Sequence, residues 1–241
     1  MITLHQFEMN FGPPNPSPYC VKVECMLRML QLDYQANYQG DMRKAPKGKL
    51  PYIEMDGEII CDSEHIIDRL IAAAGTDPDA ALSDTQRAVS RAVQAMLDER
   101  LYWALVHSRW MDERNWPRVS DGFFSSMPFP ANKLVPVIAL RTVRGYLHGQ
   151  GTGRHSPAEI ADIGCRDIRA VATLLGDKDY FHGDSATRVD AVLYSYLVNL
   201  ALPDFDSELH EETRRHPALL SYVDRISDRY FAHLDLRRAA A

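Results

Sequence analysis

The sequence predicts two domains of different class: a small α/β domain over residues 1–75 and, after a linker at 76–82, an all-helical domain over 83–241. Three observations predict it. Short β-favouring runs alternate with helical patterns in the first 75 residues, and those at 50–63 form a complete hairpin. The stretch Gly75-Thr76-Asp77-Pro78-Asp79 is rich in turn residues and poor in apolar ones. Beyond it, the long apolar patterns all carry the helical period. At 241 residues, 46% hydrophobic and 25% charged, the chain is long enough to bury two cores.

Residues 2–7 alternate apolar and polar and predict a first strand. Glu8 to Pro16 holds three prolines, a glycine and two asparagines, and predicts a loop. It ends in Ser17-Pro18-Tyr19-Cys20. Pro18 suits the first helical position, which makes Ser17 the N-cap of a helix that turns Val21, Val23, Met26, Leu27 and Leu30 inward. Two readings of Ser17 and Cys20 follow from the same geometry. In one, Ser17 caps the helix and Cys20 is a buried small hydrophobe. In the other, a hydroxyl at the start of a helix donates to a thiolate whose negative charge the helix dipole favours. Residues 33–38 predict a second strand, parallel to the first because the connection is a crossover helix.

Residues 39–49 are polar and broken by Gly40, Pro46 and Gly48, with a short helical turn at 42–45 and a basic rim of Lys44, Lys47 and Lys49. Next come the β-favouring runs 52–55 and 58–61, separated by Asp56-Gly57, the dipeptide that supplies both positive-φ positions of a type I′ turn. Pro51 stands just ahead of the first run, where no ladder hydrogen bond is lost and a cis bond is tolerated. A cis Pro51 turns the Leu50 backbone outward. After the hairpin, Asp62 or Ser63 caps a helix over 63–74, and its free amides and hydroxyl form a carboxylate-binding end.

In the second domain, residues 83–113 predict one long helical segment opened by Ser83-Asp84, with Trp110 and Trp116 near its end ahead of Pro117. Residues 118–130, with Phe123, Phe124, Met127 and Phe129, read as an irregular aromatic loop, either pinned to the core or forming a wall over an apolar pocket. A helix over 132–147 leads into a glycine-rich stretch at 148–155. No strand precedes those glycines and no GKS or GKT follows, so they are read as a connection and not as a phosphate loop. Ser156-Pro157-Ala158-Glu159 is a capping box for a helix to about 175. Thr187 and Asp190 cap a helix at 191–202 too apolar to be anything but central, and a last helix spans 217–236.

Composition narrows the function. A formal net charge of −6 with scattered basic residues argues against nucleic acid or an anionic membrane as the main partner. No apolar run approaches membrane-spanning length and the N-terminus does not read as a signal peptide, so the expected location is cytoplasmic. Cys20, Cys25, Cys61 and Cys165 lack paired spacings, and the nine histidines are dispersed, so neither a disulfide framework nor a metal site is expected.

The order βαβ then ββα, the SPYC motif on the first helix, the KLPYI segment, the DG turn and the DS pair together resemble the thioredoxin-like N-terminal domain of glutathione transferases. The TRVD segment resembles the capping box and buried aspartate of that family's helical domain. A narrower resemblance, carried by SPYCVKVECMLRM, ERLYWAL, GTGRHS and LGDKDYFHGDSATRVDA, points to the branch containing metaxins and failed axon connections proteins. Some members of that branch serve as scaffold or import components. Unlike the larger metaxins, this sequence shows no membrane anchor.

The resemblance implies the glutathione transferase fold, glutathione as cosubstrate, and addition of its thiolate to a small electrophilic, hydrophobic substrate. It implies Ser17 as the donor to the thiolate, with SPYC differing from the glutaredoxin motif CPYC by serine at the nucleophile position. Leu50, ahead of Pro51, pairs its backbone with the cysteinyl portion. Asp62 and Ser63 hold the γ-glutamyl end, the aspartate its amine and the serine its carboxylate, and Lys49 is placed for the glycyl carboxylate. The second substrate is expected between the SPYC loop and the long helix carrying Arg100, Tyr102 and Trp103. A homodimer is also implied, with Arg91, Gln94, Asp98 and Arg109 offered as a partly polar face of that helix. Two alternatives stand beside this reading: a non-catalytic module of metaxin type, and thiol exchange through Cys20.

Overall fold

The computed structural model describes residues 1–38, 42–234 and 236. The part of the expected 39–49 loop that falls on 39–41, and the positions 235 and 237–241 near the chain's end, lie outside the described residues. Strand β1 (Ile2–Gln6) and β2 (Tyr34–Tyr38) are parallel, joined by helix α1 (Pro18–Met29). β3 (Tyr52–Met55) returns antiparallel to β1 with Leu4 opposite Ile53, and β4 (Glu58–Cys61) pairs antiparallel with β3. The sheet order is β2-β1-β3-β4. At the hairpin turn Asp56 and Gly57 have φ of 54° and 81°, as a type I′ turn requires. A helical turn at Met42–Lys44 precedes β3, and α2 (Ser63–Ala74) follows β4.

Helix α1 lies between the sheet and the helical domain, so it is buried on nearly every side. Even Lys22 is 0% exposed. Its ammonium meets Asp98 at 3.0 Å and Glu64 at 3.3 Å, and Glu64 in turn pairs with Arg188 at 3.1 Å. Tyr196 donates to the other oxygen of Asp98 at 2.8 Å. A buried lysine on α1 held both by Glu64 of the first domain and by Asp98 of the helical domain fastens the two together.

The helical domain opens with α3 (Asp84–Met96), a π-helical turn at Leu97–Leu101 and α4 (Tyr102–Trp110), one continuous segment. Gln94, Asp98 and Arg109 do not form the outward face expected of them. Asp98 belongs to the lysine network, Gln94 donates to it at 3.2 Å, and Gln94 and Arg109 are both buried; only Arg91 is well exposed. The expected aromatic loop is also corrected: Trp116–Phe124 is a helix, α5, with Pro117 in its first turn. Proline ends one helix but is equally suited to start the next, and Trp116, Val119, Phe123 and Phe124 recur at helical spacing. Gly122 on α5 is required by the packing, because a Cβ there would sit 2.5 Å from the Phe11 ring.

Helix α6 (Ala131–Gln150) is longer than expected, and α7 (Pro157–Leu175) begins with the Ser156/Glu159 capping box. Between them Gly153 lies against the Leu147 backbone, where a Cβ would approach within 2.8 Å, so at least this glycine serves the turn. The central α8 (Arg188–Ala201) is followed by α9 (Glu208–Arg214), a short helix the sequence reading missed, and α10 (Pro217–Tyr230). The last helix stops before the expected 236. Phe231 turns inward there to stack on Tyr194 at 5.4 Å.

Candidate functional site

The loop after β1 is shaped by one buried asparagine. Asn15 donates to the Phe7 carbonyl at 2.6 Å, its side-chain oxygen accepts the Ser17 N–H at 3.1 Å, and its own carbonyl accepts from Asn199 at 3.1 Å. Arg109 donates to the Pro16 carbonyl at 2.9 Å. These contacts deliver Ser17 to the start of α1 in extended conformation, with φ −98° and ψ 119°. The Ser17 carbonyl begins the helix, accepting from Cys20 and Val21, but its hydroxyl makes no capping hydrogen bond. The simple capping role expected of the side chain is therefore absent. The hydroxyl instead reaches the Cys20 thiol and remains half-buried at the helix mouth.

Cys20 is fully buried, and that burial pushes its thiol up to about 12, against the hydrogen bonds from Ser17 and the Phe7 backbone that lower it and Glu24, which raises it further. A thiol in that state holds its proton at neutral pH, so Cys20 is a poor nucleophile. The Tyr19 hydroxyl is engaged in a structural contact. It donates at 3.1 Å to the Asp98 carbonyl in the π-helical turn, which keys the SPYC motif to the helical domain.

The residues expected to hold glutathione lie along one sheet edge. The Leu50–Pro51 bond is cis, Leu50 packs with Cys20, Ala45 and Tyr52, and among the described residues no hydrogen bond engages the Leu50 backbone. Tyr52 is directly opposite Cys61 across the hairpin, so the register brings Pro51 and Asp62, their outer neighbours, to the same end. Asp62, at φ 82°, is the N-cap of α2, and one of its oxygens accepts the Glu64 N–H at 3.0 Å. Ser63 is buried at the first position of that helix, and Lys49 is exposed beside Leu50. Cys20, Ala45, Leu50 and Tyr52 form one buried cluster with Phe7 and Cys61 packed against it, and Cys20, Leu50 and Cys61 adjoin the start of α1, Pro51 and Asp62 along the chain.

Of the three residues expected along the long helix, Tyr102 faces this site. Its ring packs on Tyr19 at 4.9 Å and Trp103 at 5.2 Å, and burial, followed by the nearby Cys20, pushes its phenol up to about 12. Trp103 is half-buried next to it. Arg100 turns away to Asp167 on α7 at 3.3 Å, so it does not line the cleft. The aromatic side is built by Phe123, which meets Phe7, Phe11 and Trp110 at ring distances of 6.0, 5.5 and 5.9 Å. Phe7 thus joins the aromatic cluster to the Ser17 cleft. Asn15, Arg109 and Asn199 were not anticipated as parts of the site; the legible signal was a buried asparagine near the C-terminal end of the largely apolar α8.

No group of three or more His, Cys, Asp or Glu among the described residues is placed to hold a metal ion, and no helix among them is long and apolar enough to cross a membrane.

Comparison with known proteins bears on this geometry. The family model for the glutathione S-transferase N-terminal domain matches residues 18–115, and that for the C-terminal domain matches 164–226. The chain is 31% identical to the isoprene-epoxide–glutathione S-transferase of Rhodococcus sp. strain AD45 over 237 residues, 95% of this chain and 99% of that one. It is 32% identical to Failed axon connections of Drosophila melanogaster over 98% of this chain but 59% of the relative, and 31% identical to human metaxin-1 over 78% and 42%. Among solved structures, the β-etherase LigF of Sphingobium sp. strain SYK-6 superposes with a TM-score of 0.66 at 15% identity, covering 97% of this chain and 99% of that one, a likeness of fold.

Proposed function

The chain belongs to the glutathione S-transferase family, and from that we propose that it binds glutathione and transfers its thiolate to a small electrophile with an apolar body. One observation carries the reading. The Ser17 hydroxyl is not used as a helix cap and stands at the positive end of α1, on the same edge as the Leu50 backbone and the α2 N-terminus. In this reading Leu50 pairs with the cysteinyl backbone, Asp62 takes the γ-glutamyl amine, and Ser63 with the α2 amides takes its carboxylate. Lys49 faces the glycyl carboxylate. The glutathione thiol gives its proton to solvent, and Ser17 donates a hydrogen bond to the sulfur anion. That sulfur attacks carbon; a C–S bond forms as the carbon–leaving-group bond breaks, and a strained C–O bond is one such bond. The expelled oxygen takes a proton from water. Phe7, Tyr102, Trp103 and Phe123 form the apolar walls for the second substrate.

Thermal melting with added glutathione tests the ligand. At 100 times its dissociation constant a ligand stabilises by about 2.7 kcal/mol, roughly 5 to 10 °C for a chain of this size. An unmoved melting temperature at millimolar glutathione would overturn the assignment. It would favour the non-catalytic reading, which the similarity to Failed axon connections and metaxin-1 supports. Thiol exchange through Cys20 has the raised thiol against it. All four cysteines are free, which fits a reducing compartment, and the cytoplasm is the proposed location.

We also propose a homodimer. Its support is the superfamily and one helix face: Leu134, Val137 and Ile138 on α6 are 59%, 66% and 64% exposed. No Asp or Glu occurs between Gly122 and Ala158, while the outer edge of β4 and the start of α2 present Glu58, Ile59 and Asp62, a complementary acidic and apolar patch. A two-fold axis would let each copy offer both patches. Light scattering at micromolar concentration should give twice 27.3 kDa for the wild type and a smaller mass for Ile138→Glu. A single-chain mass for the wild type across dilution rules the dimer out.

A further inference from the structure

Arg109 is 6% exposed, yet among the described residues no carboxylate forms an ion pair with it. Two other buried charges are paired with opposite ones: Lys22 has Asp98 and Glu64, and Glu24 has Arg28 at 2.8 Å. Every partner of Arg109 is neutral. One terminal nitrogen donates to the Pro16 carbonyl at 2.9 Å; the other donates to the Asn199 carbonyl at 2.6 Å and side-chain oxygen at 3.0 Å. The guanidinium lies over the Phe205 ring at 5.2 Å, and its Nε is buried without a partner. Among the described residues nothing around it supplies negative charge. Tyr102 on α4 is protonated, and His210 on α9 is kept neutral by burial and then by Arg109 and Arg214. Burial draws the guanidinium down to about 9 against a smaller raising influence from Tyr102, which leaves it cationic at neutral pH.

An unpaired cation inside a protein is costly unless an anion arrives to meet it. The Arg109 guanidinium is bound to the carbonyl immediately before Ser17, and the Tyr102 phenol is near enough to feel both Arg109 and Cys20. The anion that forms at that spot is the glutathione sulfur. We propose that Arg109 is a positioning residue that acts as the fixed positive charge behind Ser17, holding the bound glutathione thiol in its ionised form. The field crosses a dry interior, where water screens it little. This rests on the glutathione reading above, and it differs from a purely mechanical role for Arg109 as the clamp of the loop before Ser17.

The two roles separate when the charge is cancelled and the clamp is kept. Asn199→Asp places a carboxylate where the amide oxygen stands 3.0 Å from the guanidinium, at the expense of donor bonds to the Asn15 and Ser195 carbonyls. Arg109→Gln removes the charge outright, and Arg109→Lys keeps it. The measurement is the thiolate ultraviolet absorbance of bound glutathione against pH, on variants whose folding is confirmed by circular dichroism. Wild type should titrate below the free thiol value near 8.5. Asn199→Asp and Arg109→Gln should each raise the midpoint by about one unit, and Arg109→Lys should stay close to wild type. A folded, glutathione-binding Asn199→Asp or Arg109→Gln with an unmoved midpoint overturns the proposal alone. Failure of the wild type to bind glutathione at all overturns both this and the reading it rests on.

Discussion

Ser17→Ala is expected to lower kcat toward an electrophile such as a chlorodinitrobenzene by about 10- to 150-fold at neutral pH, with little loss of stability. The rate follows from one hydrogen bond to a charged sulfur, worth roughly 1.5 to 3 kcal/mol, converted at about tenfold per 1.36 kcal/mol. The stability follows from the geometry. A capping serine costs about 1 kcal/mol when lost, but the Ser17 hydroxyl makes no cap bond, and the carbonyl that starts α1 belongs to the backbone. The sign of the pH effect is fixed. Ser17 stabilises the sulfur anion, so its removal raises the bound thiol pKa and moves the acid limb of the rate profile to higher pH, and the deficit shrinks as pH rises through the new value. Steady-state rates from pH 6 to 9 on both proteins check this. An unchanged profile would mean that Ser17 only begins the helix.

What the sequence disclosed and what it hid divide along the range of the interaction. The Asp56-Gly57 turn, the Ser156 and Thr187 capping boxes and the βαβ opening are governed by residues a few positions apart, and spacing alone places them. The fold class followed from those. The lysine network and the Arg109 site join residues 42 to 184 positions apart, and no local pattern announces them. Gln94, Asp98 and Arg109 read as an outward, partly polar face because polar residues usually are solvated. The π-helical turn at Leu97–Leu101 also shifts the helical phase, so a regular count of 3.6 misassigns the faces beyond it. Short α9, with four charged residues in seven, offered no apolar period to read. The placing of Leu50, Pro51, Asp62 and Ser63 at one end of the hairpin was legible because its register fixes them, and the bond from Asn199 to the Asn15 carbonyl was not, because its partners lie 184 positions apart.

Asp190→Ala should cost about 3 to 5 kcal/mol of stability, at the upper end for one substitution, because it breaks a buried hydrogen-bond network. The carboxylate is 0% exposed and accepts four hydrogen bonds: from the Phe181 N–H at 2.8 Å, the Thr187 N–H at 2.7 Å, the Thr187 hydroxyl at 2.8 Å and the Tyr222 hydroxyl at 2.8 Å. Alanine leaves those donors inside the protein with no water to take the place of the acceptor, and each buried orphan costs about 1 to 3 kcal/mol before relaxation. The Tyr222 hydroxyl also lies 3.2 Å from the Asp190 carbonyl, which survives the change and offsets part of the loss. Asparagine is no rescue, since its amide turns two donors toward donors. Burial holds the Asp190 carboxyl above its ordinary range against the pull of those bonds. A raised folded pKa means that this group's proton linkage favours the fold most at low pH, and that contribution fades as pH rises through the folded value. The deficit of Asp190→Ala should therefore be larger in mildly acidic buffer than at neutral pH. Urea midpoints of the two proteins at both pH values decide it: a difference below about 1 kcal/mol would mean the network is not what holds α8 against α10.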